Sequence, residues 1–291
     1  MGDALRKKAG RKFFAMTSYI SPRLNTRLLF LKKFGRLPKL RDPQTLNEKL
    51  LKLKLERFGS DPLVRQCADK YRVREFVRER GCGEILNELI AVYDRVEEID
   101  WDSLPESFVM KWNFGCGYNI ICPKKSRLNI EETKEQMKKW GREDFWAYYS
   151  ELQYKDMPKK IIVERYLAPQ EGIQPEDYKF YCFHGRAYCV MLCRGREEGW
   201  PKFYFFDRNF ELMCINRDSQ SAPQGFSLPR PAGLDDAFRY ADTLSAGFPF
   251  VRADFYIVDG RVYFGELTFT PAAGLDNNRL RRTDLMFGQM L

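Results

Sequence analysis

The sequence predicts an α+β fold in which a basic helical lead-in precedes two lobes that each mix helices with antiparallel strands. Up to residue 83, apolar residues recur at helical spacing. After Pro105, short alternating or continuously apolar runs take over. Those runs are joined by turn signals such as His184-Gly185 and Asp259-Gly260, which connect antiparallel neighbours. The expected division is a helical extension over 1–60, a first lobe over 61–168 and a second lobe over 169–291.

Each element has a local reason. Arg6, Lys7, Lys8, Arg11 and Lys12, then Lys32, Lys33, Arg36 and Lys39, make the first forty residues basic. Such a run reads either as a solvated helical face or as a surface for anionic lipid or an acidic polymer. Thr45 and Glu48 form a candidate capping box, with Leu46, Leu50, Leu53 and Phe58 behind it at helical spacing and Gly59 as the stop. Asp61-Pro62 opens the next helix, and Val73, Phe76 and Val77 carry another stripe to Gly81. Phe108 to Asn113 alternates, so Val109, Lys111 and Asn113 share a face; Gly115-Cys-Gly117 and the run Asn119–Cys122 follow. A polar helix is expected at about 129–141 and a buried strand over 161–167. Strands are then expected at 178–183, 187–193, 203–206 and 210–215, a proline-bearing loop over 216–232, a helix from Leu234, and closing strands at 250–258 and 262–268.

Composition narrows the function. Forty-nine Lys and Arg against 40 Asp and Glu give a net charge of +9, and 44% apolar with 15% aromatic residues excludes a disordered chain. No apolar run approaches the ~20 residues of a membrane span, and Met1 to Lys12 lacks the apolar stretch of a cleaved leader, so a cytoplasmic protein is expected. The eight cysteines form no CxxC pair and read as reduced thiols. A single histidine, His184, supplies neither a zinc site nor a Ser-His-Asp triad, which leaves Lys, Arg, Asp and Glu to carry any catalysis.

The richest segment is Val251 to Thr268. Arg252 and Asp254 share one face by period two, as do Glu266 and Thr268, and charge in strands this apolar must pair or bind an ion. A two-residue Asp259-Gly260 turn, the stronger local signal, would put Asp254 and Glu266 on opposite faces. A three-residue loop, Val258-Asp-Gly260, would bring them onto one face at diagonal reach. A divalent cation between them needs this second register, which is the one predicted; a salt bridge from Arg252 to a carboxylate inside the sheet is the alternative. Lys111 precedes a glycine loop of the kind whose N–H groups approach phosphate. Glu164, Asp177 and Lys179 at strand ends suit a nucleotide or plain solvation.

The order of these parts is similar to that in ATP-grasp enzymes, and the chain resembles the TupA-like branch, named for teichuronopeptide biosynthesis, over roughly residues 25–275. The resemblance is carried by Lys33-Phe-Gly35, Pro43-Gln-Thr-Leu-Asn-Glu-Lys49, Ala68-Asp-Lys-Tyr-Arg-Val-Arg74, Phe108-Val-Met-Lys111, Asn119-Ile-Ile-Cys122, Ile162-Val-Glu164, Asp177-Tyr-Lys-Phe180, Gly247 to Asp254 and Phe264 to Pro271. It implies an ATP-grasp fold, two α+β lobes enclosing a nucleotide cleft. Lys70 and Lys111 would contact phosphates, with Gly115 and Gly117 in the covering loop. The backbone of Glu164, Arg165, Tyr166 and Leu167 would read adenine, and Asp177 would lie near the ribose. Lys179 and Arg252 would serve catalysis, and Asp254, Glu266 and Thr268 would hold Mg2+. Two departures stand out: relatives often carry a His-Gly-Ser-Gly type loop where this chain has Asn113-Phe-Gly-Cys-Gly-Tyr118, and Ala272 replaces a frequent glycine.

The resemblance further implies an ATP- and Mg2+-dependent ligase that activates a carboxylate as an acylphosphate for attack by an amine. The expected substrates are a uronic-acid-type carboxylate and an amino acid or simple amine in bacterial surface-polysaccharide or capsule biosynthesis. Contact with a membrane-linked glycan intermediate, at the inner membrane face, is also expected; a nucleic acid is not. A phosphotransferase, a glycosyltransferase or a non-catalytic nucleotide- or glycan-binding module are the rival readings.

Overall fold

Helix-start chemistry sets the first third of the chain. The computed structural model describes residues 2–168, 175–195 and 199–291, with side chains from residue 9 onward, so those of Arg6, Lys7 and Lys8 in the basic run lie outside it. Helix α1 (Gly2–Ile20) meets α2 (Pro22–Phe34) at Ser21, whose hydroxyl accepts from Leu24 N–H, and Gly35 ends α2 in the left-handed region. Thr45 and Glu48 close the expected capping box on α3 (Leu46–Leu53), which runs into a π-helical turn, Lys54–Phe58. Asp61 caps α4 (Pro62–Ala68), and α5 (Val73–Glu79) follows.

The first lobe then lays down β1 (Leu89–Tyr93), β2 (Phe108–Trp112), β3 (Asn119–Cys122), α6 (Ile130–Gly141), α7 (Phe145–Tyr149) and β4 (Ile161–Arg165). Its sheet is antiparallel throughout, in the order β1-β4-β2-β3. The second lobe holds β5 (Asp177–Phe183), β6 (Arg186–Arg194), β7 (Lys202–Phe206), β8 (Leu212–Met213), α8 (Arg217–Gln220), α9 (Leu234–Ser245), β9 (Phe250–Val258), β10 (Arg261–Thr268) and α10 (Arg281–Met290). Its six strands run antiparallel in the order β10-β9-β5-β6-β7-β8. The expected strand at 210–215 shrinks to two residues because Phe210 turns through φ 67°. The proline loop also contains α8, and β1, α7 and α10 add to the expected elements.

Packing decides which part of the second sheet stays open. One face, with Phe180, Ala253 and Phe255, is covered by Ala237, Phe238, Ala241 and Leu244 of α9. On the other face, Tyr181, Phe183 and Phe205 pack against Leu46 and Leu50 of α3 and Phe287 of α10. Residues 46–50, from the N-terminal helical region, therefore belong to the core of the last strands. The tie is also polar: Asn47 N–H donates to Asp284 at 3.1 Å and its amide to Asp276 O at 2.8 Å. Beyond α3 and α10 the same sheet face meets the first lobe instead, and there the charged side chains collect, largely buried. Among the described residues no helix is long and apolar enough to cross a membrane. All eight cysteines are unpaired.

Phe287 is fully buried, with its ring 5.4–6.0 Å from those of Phe183, Tyr188 and Tyr181. Phe287→Ala should therefore cost about 3–5 kcal/mol. A urea unfolding curve should show a lower midpoint with an unchanged slope.

Candidate active site

The site is built on a register shift. Strands β9 and β10 are joined by a two-residue turn, with Asp259 at φ 51° and Gly260 at φ 76°, so the predicted three-residue loop does not form. Pairing starts in the register that this turn dictates, with Phe264 opposite Phe255. Continued, it would leave Glu266 on the wrong face. Instead β10 carries one extra residue, Gly265, after which Glu266 lies opposite Asp254, Leu267 opposite Ala253 and Thr268 opposite Arg252. The two carboxylates thus share a face as direct partners rather than diagonal ones, through a β-bulge inside the strand. A Cβ on Gly265 would lie 2.8 Å from Asp254 O, which reserves the position for glycine.

Strand β5 extends the pattern. Lys179 lies opposite Asp254 and Tyr181 opposite Arg252, so Lys179, Asp254 and Glu266 form one row across three strands, with Tyr181, Arg252 and Thr268 in the next. Arg252 grips Asp254 with both arms, Nε to Oδ1 at 2.7 Å and Nη2 to Oδ2 at 2.6 Å, and Lys179 Nζ donates to Oδ2 at 2.7 Å and to Asp177. Thr268 Oγ1 donates to Glu266 Oε1 at 2.9 Å and accepts from Arg252 at 3.2 Å. Burial raises the Asp254 carboxyl, against the pull of Arg252 and Lys179. Burial also opposes ionisation of Glu266, but Lys70, Arg252 and Lys179 outweigh it and hold this carboxyl at about 2.

Lys70 reaches this row from the first lobe. Asp69 accepts from the N–H groups of Tyr71 and Arg72 and so shapes the turn between α4 and α5, while Lys70 N–H donates to Asn113 O at 2.9 Å. The Lys70 ammonium donates to Gly115 O and lies 3.3 Å from Glu266 Oε2. Gly115 (φ 64°) and Gly117 (φ 77°) form the loop, which Trp112 N–H closes onto Tyr118 O at 3.0 Å. A Cβ at Gly115 would meet the Phe145 ring at 2.6 Å. Asn113, at the start of the loop, is committed to the scaffold: it donates to Pro158 O and accepts from Lys160 N–H, both at 2.9 Å.

Lys111 and Glu164 share a face of the first sheet, where Lys111 Nζ lies 2.7 Å from Glu164 Oε2. The other oxygen of Glu164 accepts from Arg74 at 2.9 Å, and Arg74 also donates to Asn87 O at 2.7 Å. Arg74 holds Glu164 and through it Lys111, a function that its sequence position does not announce. The available signal was one arginine among four, Arg72, Arg74, Arg78 and Arg80, around the apolar Val73, Phe76 and Val77. Arg165 departs from the cluster: its side chain is exposed near Glu88 at 3.7 Å, while its backbone O accepts from Asn87. Tyr166 and Leu167 follow β4 without regular structure, and Asp177 opens β5 beside Lys179.

A second buried layer fixes the turn after β10. Glu151 accepts from Thr270 Oγ1 at 2.5 Å, and Gln153 donates to the same hydroxyl at 2.9 Å. Lys54 donates to Tyr149 O at 2.7 Å and Ala273 O at 3.2 Å; burial lowers its ammonium to about 8, against the charge of Glu151. Ala272 (φ 50°) and Ala273 (φ 58°) occupy the left-handed region, which explains why glycine suits position 272.

For a divalent cation, the donors at hand are Asp254, Glu266 and the Thr268 hydroxyl, and among the described residues no three His, Cys, Asp or Glu side chains form a metal-holding group. Asp254 is already held by Arg252 and Lys179 and Glu266 by Lys70, so a cation here would have to share these carboxylates and draw its remaining ligands from phosphate and water, as Mg2+ commonly does.

Gly265→Ala should lower stability by about 1–3 kcal/mol through overpacking against Asp254 O. The Glu266–Asp254 cross-peaks of the native register should also disappear from NMR spectra. Ala272→Gly, at an exposed position, should raise stability by about 1 kcal/mol as left-handed strain is relieved, read as a higher melting temperature.

With this geometry, comparison with known proteins gives a family. A TupA-like ATP-grasp family matches residues 48–291. Among solved structures, the D-alanine–D-alanine ligase from Bacillus anthracis is 16% identical, with 77% of this chain and 63% of that chain covered and a TM-score of 0.43. The D-alanine–D-alanine ligase from Helicobacter pylori is 12% identical, covering 78% and 59% at a TM-score of 0.39. An L-amino acid ligase from Bacillus licheniformis is 11% identical, covering 80% and 51% at a TM-score of 0.45. The chain thus spans less than two thirds of the length of these enzymes. No curated protein matches. The bulged strand pair, the lysines of the facing lobe and the matched span lead to one conclusion: the chain has the ATP-grasp fold and belongs to the TupA-like ATP-grasp family.

Proposed function

We propose that the chain is an ATP- and Mg2+-dependent carboxylate–amine ligase. The observation that carries this reading is the single face on which Lys179, Arg252, Asp254 and Glu266 line up beside Lys70 and the glycine loop. Phosphoryl transfer needs positive charge fixed in advance around the moving group and little covalent help from the protein. Arg252, Lys179 and Lys70 supply that charge, and the bidentate grip of Asp254 keeps Arg252 from reorienting. Asp254, Glu266 and Thr268 would hold Mg2+, which when bound neutralises phosphate charge.

In this reading a carboxylate oxygen of the substrate attacks the γ-phosphorus of ATP. The bond to the β-phosphate oxygen breaks, and ADP leaves an acylphosphate behind. An amine then attacks the acyl carbon, phosphate departs, the amine loses a proton, and an amide remains. No side-chain nucleophile takes part, in keeping with a chain whose sole histidine sits at the β5–β6 turn. Lys111 would meet the phosphates or the nucleotide by exchanging Glu164 for them, and the backbone of residues 164–167 would face adenine. The family resemblance favours a uronic-acid-type carboxylate of a bacterial surface polysaccharide, with an amino acid or small amine as the acceptor.

The test is a screen of sugar acids and amines for ADP release, with hydroxylamine present to trap an acylphosphate as its hydroxamate. Glu266→Gln and Arg252→Met should each lower turnover on the order of 10²- to 10³-fold. Folded variants with unchanged turnover would sink the assignment. A stable phosphate ester in place of a hydroxamate would identify a phosphotransferase instead.

A further inference from the structure

Helices α1 and α2 carry apolar side chains on both faces, and the ligase reading does not use the outer set. Their inner faces mix apolar and polar groups: Leu29 and Phe30 are buried in a small core with Leu40, Leu51 and Leu275. Thr17, Ser18 and Asn25 are buried beside them, Ser18 and Asn25 bonding to Ser150 at 2.7 and 3.0 Å. Arg11 further ties α1 to Tyr118 at 3.1 Å and to Glu143 at 3.3 Å. The outer faces carry apolar side chains as well. Phe13, Met16 and Ile20 are 54%, 66% and 78% exposed and recur at i, i+3 and i+7 on α1, and Leu24 and Leu31 are exposed on α2. Seven of the eleven large exposed apolar side chains among the described residues fall between positions 13 and 37. Because the inner side is already packed and hydrogen-bonded to the body, these side chains cannot turn inward without breaking it.

Charge is concentrated on the same segment. Residues 1–41 contain twelve Lys and Arg and one acid, Asp3, a net charge of +11 that leaves the other 250 residues at −2. The entire positive excess of the protein thus belongs to the first 41 residues, and +8 of it to the two helices. Several of its cations are consumed locally: Arg23 pairs with Glu56, Arg36 with Glu48, and Lys32 lies over the Phe14 ring. Lys12 and Arg27, next to the exposed apolar side chains, are themselves exposed.

We propose that the outer faces of α1 and α2 dock on an anionic lipid surface. Basic side chains alone would suit an acidic polysaccharide equally well, but such a polymer has no apolar interior to take up Phe13, Met16 and Ile20. A bilayer offers both, anionic headgroups for Lys12 and Arg27 and an acyl boundary for the side chains between them. The docking surface is also linked to the glycine loop, since Arg11 bonds the Tyr118 hydroxyl at the end of that loop. This inference stands whether or not the ligase reading does.

The test is co-sedimentation of the full chain with phosphatidylcholine vesicles, with and without about one third phosphatidylglycerol. Anionic vesicles should bind at least tenfold more tightly than neutral ones. The triple variant Phe13→Ser, Met16→Ser, Ile20→Ser keeps the net charge and should weaken binding by about tenfold or more. Lys12→Gln with Arg27→Gln should weaken it by roughly fivefold per charge removed. All these positions are exposed, so circular dichroism should be unchanged. Failure to bind anionic vesicles overturns the proposal. So does unaltered binding by the triple serine variant, which would mean adsorption by charge alone. Vesicle binding abolished by a low concentration of polygalacturonate that itself binds the serine variant fully would assign the surface to an acidic polymer.

Discussion

The extra residue at Gly265 is the constraint on which the candidate site rests. A β-strand alternates its faces, so a tight two-residue turn between β9 and β10 commits every later residue to one side or the other. Without the bulge, Asp254 and Glu266 would point to opposite faces, and Glu266 and Thr268 would be driven into the apolar layer beneath α9. With it, three strands present Lys179, Asp254 and Glu266 in one row and Arg252 and Thr268 in the next. The absence of a side chain at Gly265 makes this spacing available, because Asp254 O occupies the volume that a Cβ would need.

Once aligned, the charges stabilise one another and also hold the site ready. A buried lysine or arginine without a partner is costly, and every cation in this cleft has one: Lys111 has Glu164, Lys179 and Arg252 share Asp254, and Lys70 has Glu266. An anionic ligand entering the cleft therefore exchanges one set of ion pairs for another and does not meet bare charges. Lys70 has a particular position in this exchange, because its ammonium touches both the glycine loop of one lobe and Glu266 of the other. Whatever draws Lys70 toward phosphate also changes the contact between the lobes.

How much of this was legible in the sequence follows from the range of each interaction. The Thr45–Glu48 capping box, the Asp61-Pro62 helix start and the His184 turn are local, and the chain forms them as its residues dictate; at Asp259 it forms the two-residue turn of the local Asp-Gly signal and not the three-residue loop predicted to align the carboxylates. The alternation of β2 and the shared face of Arg252 and Asp254 could likewise be read from period two. The bulge could not, since a glycine in a strand signals a bulge or a close approach without saying which residue opposite sets it. Arg74 was invisible for a similar reason: its partners, Glu164 and Asn87, are distant in the chain or on another element. The basic N-terminal region looked like an extension, yet Leu46 and Leu50 complete the core of strands that come more than a hundred residues later. Periodicity identifies an apolar face but not the surface that covers it.

The turn after β10 shows how the fold keeps the site despite a local cost. Left-handed alanine is disfavoured by roughly 1–2 kcal/mol per residue, and here Ala272 and Ala273 adopt it in succession directly after the strand that carries Glu266 and Thr268. Relaxing that strain would pull Thr270, and with it the end of β10, out of place. Two buried contacts prevent this: Lys54 holds Ala273 O, and Glu151 with Gln153 holds the Thr270 hydroxyl. Hydrogen bonds to charged groups contribute about 1.5–3 kcal/mol each, enough to offset two strained residues. The buried side chains of Lys54 and Glu151 thus brace the turn directly behind the strand that carries Glu266 and Thr268.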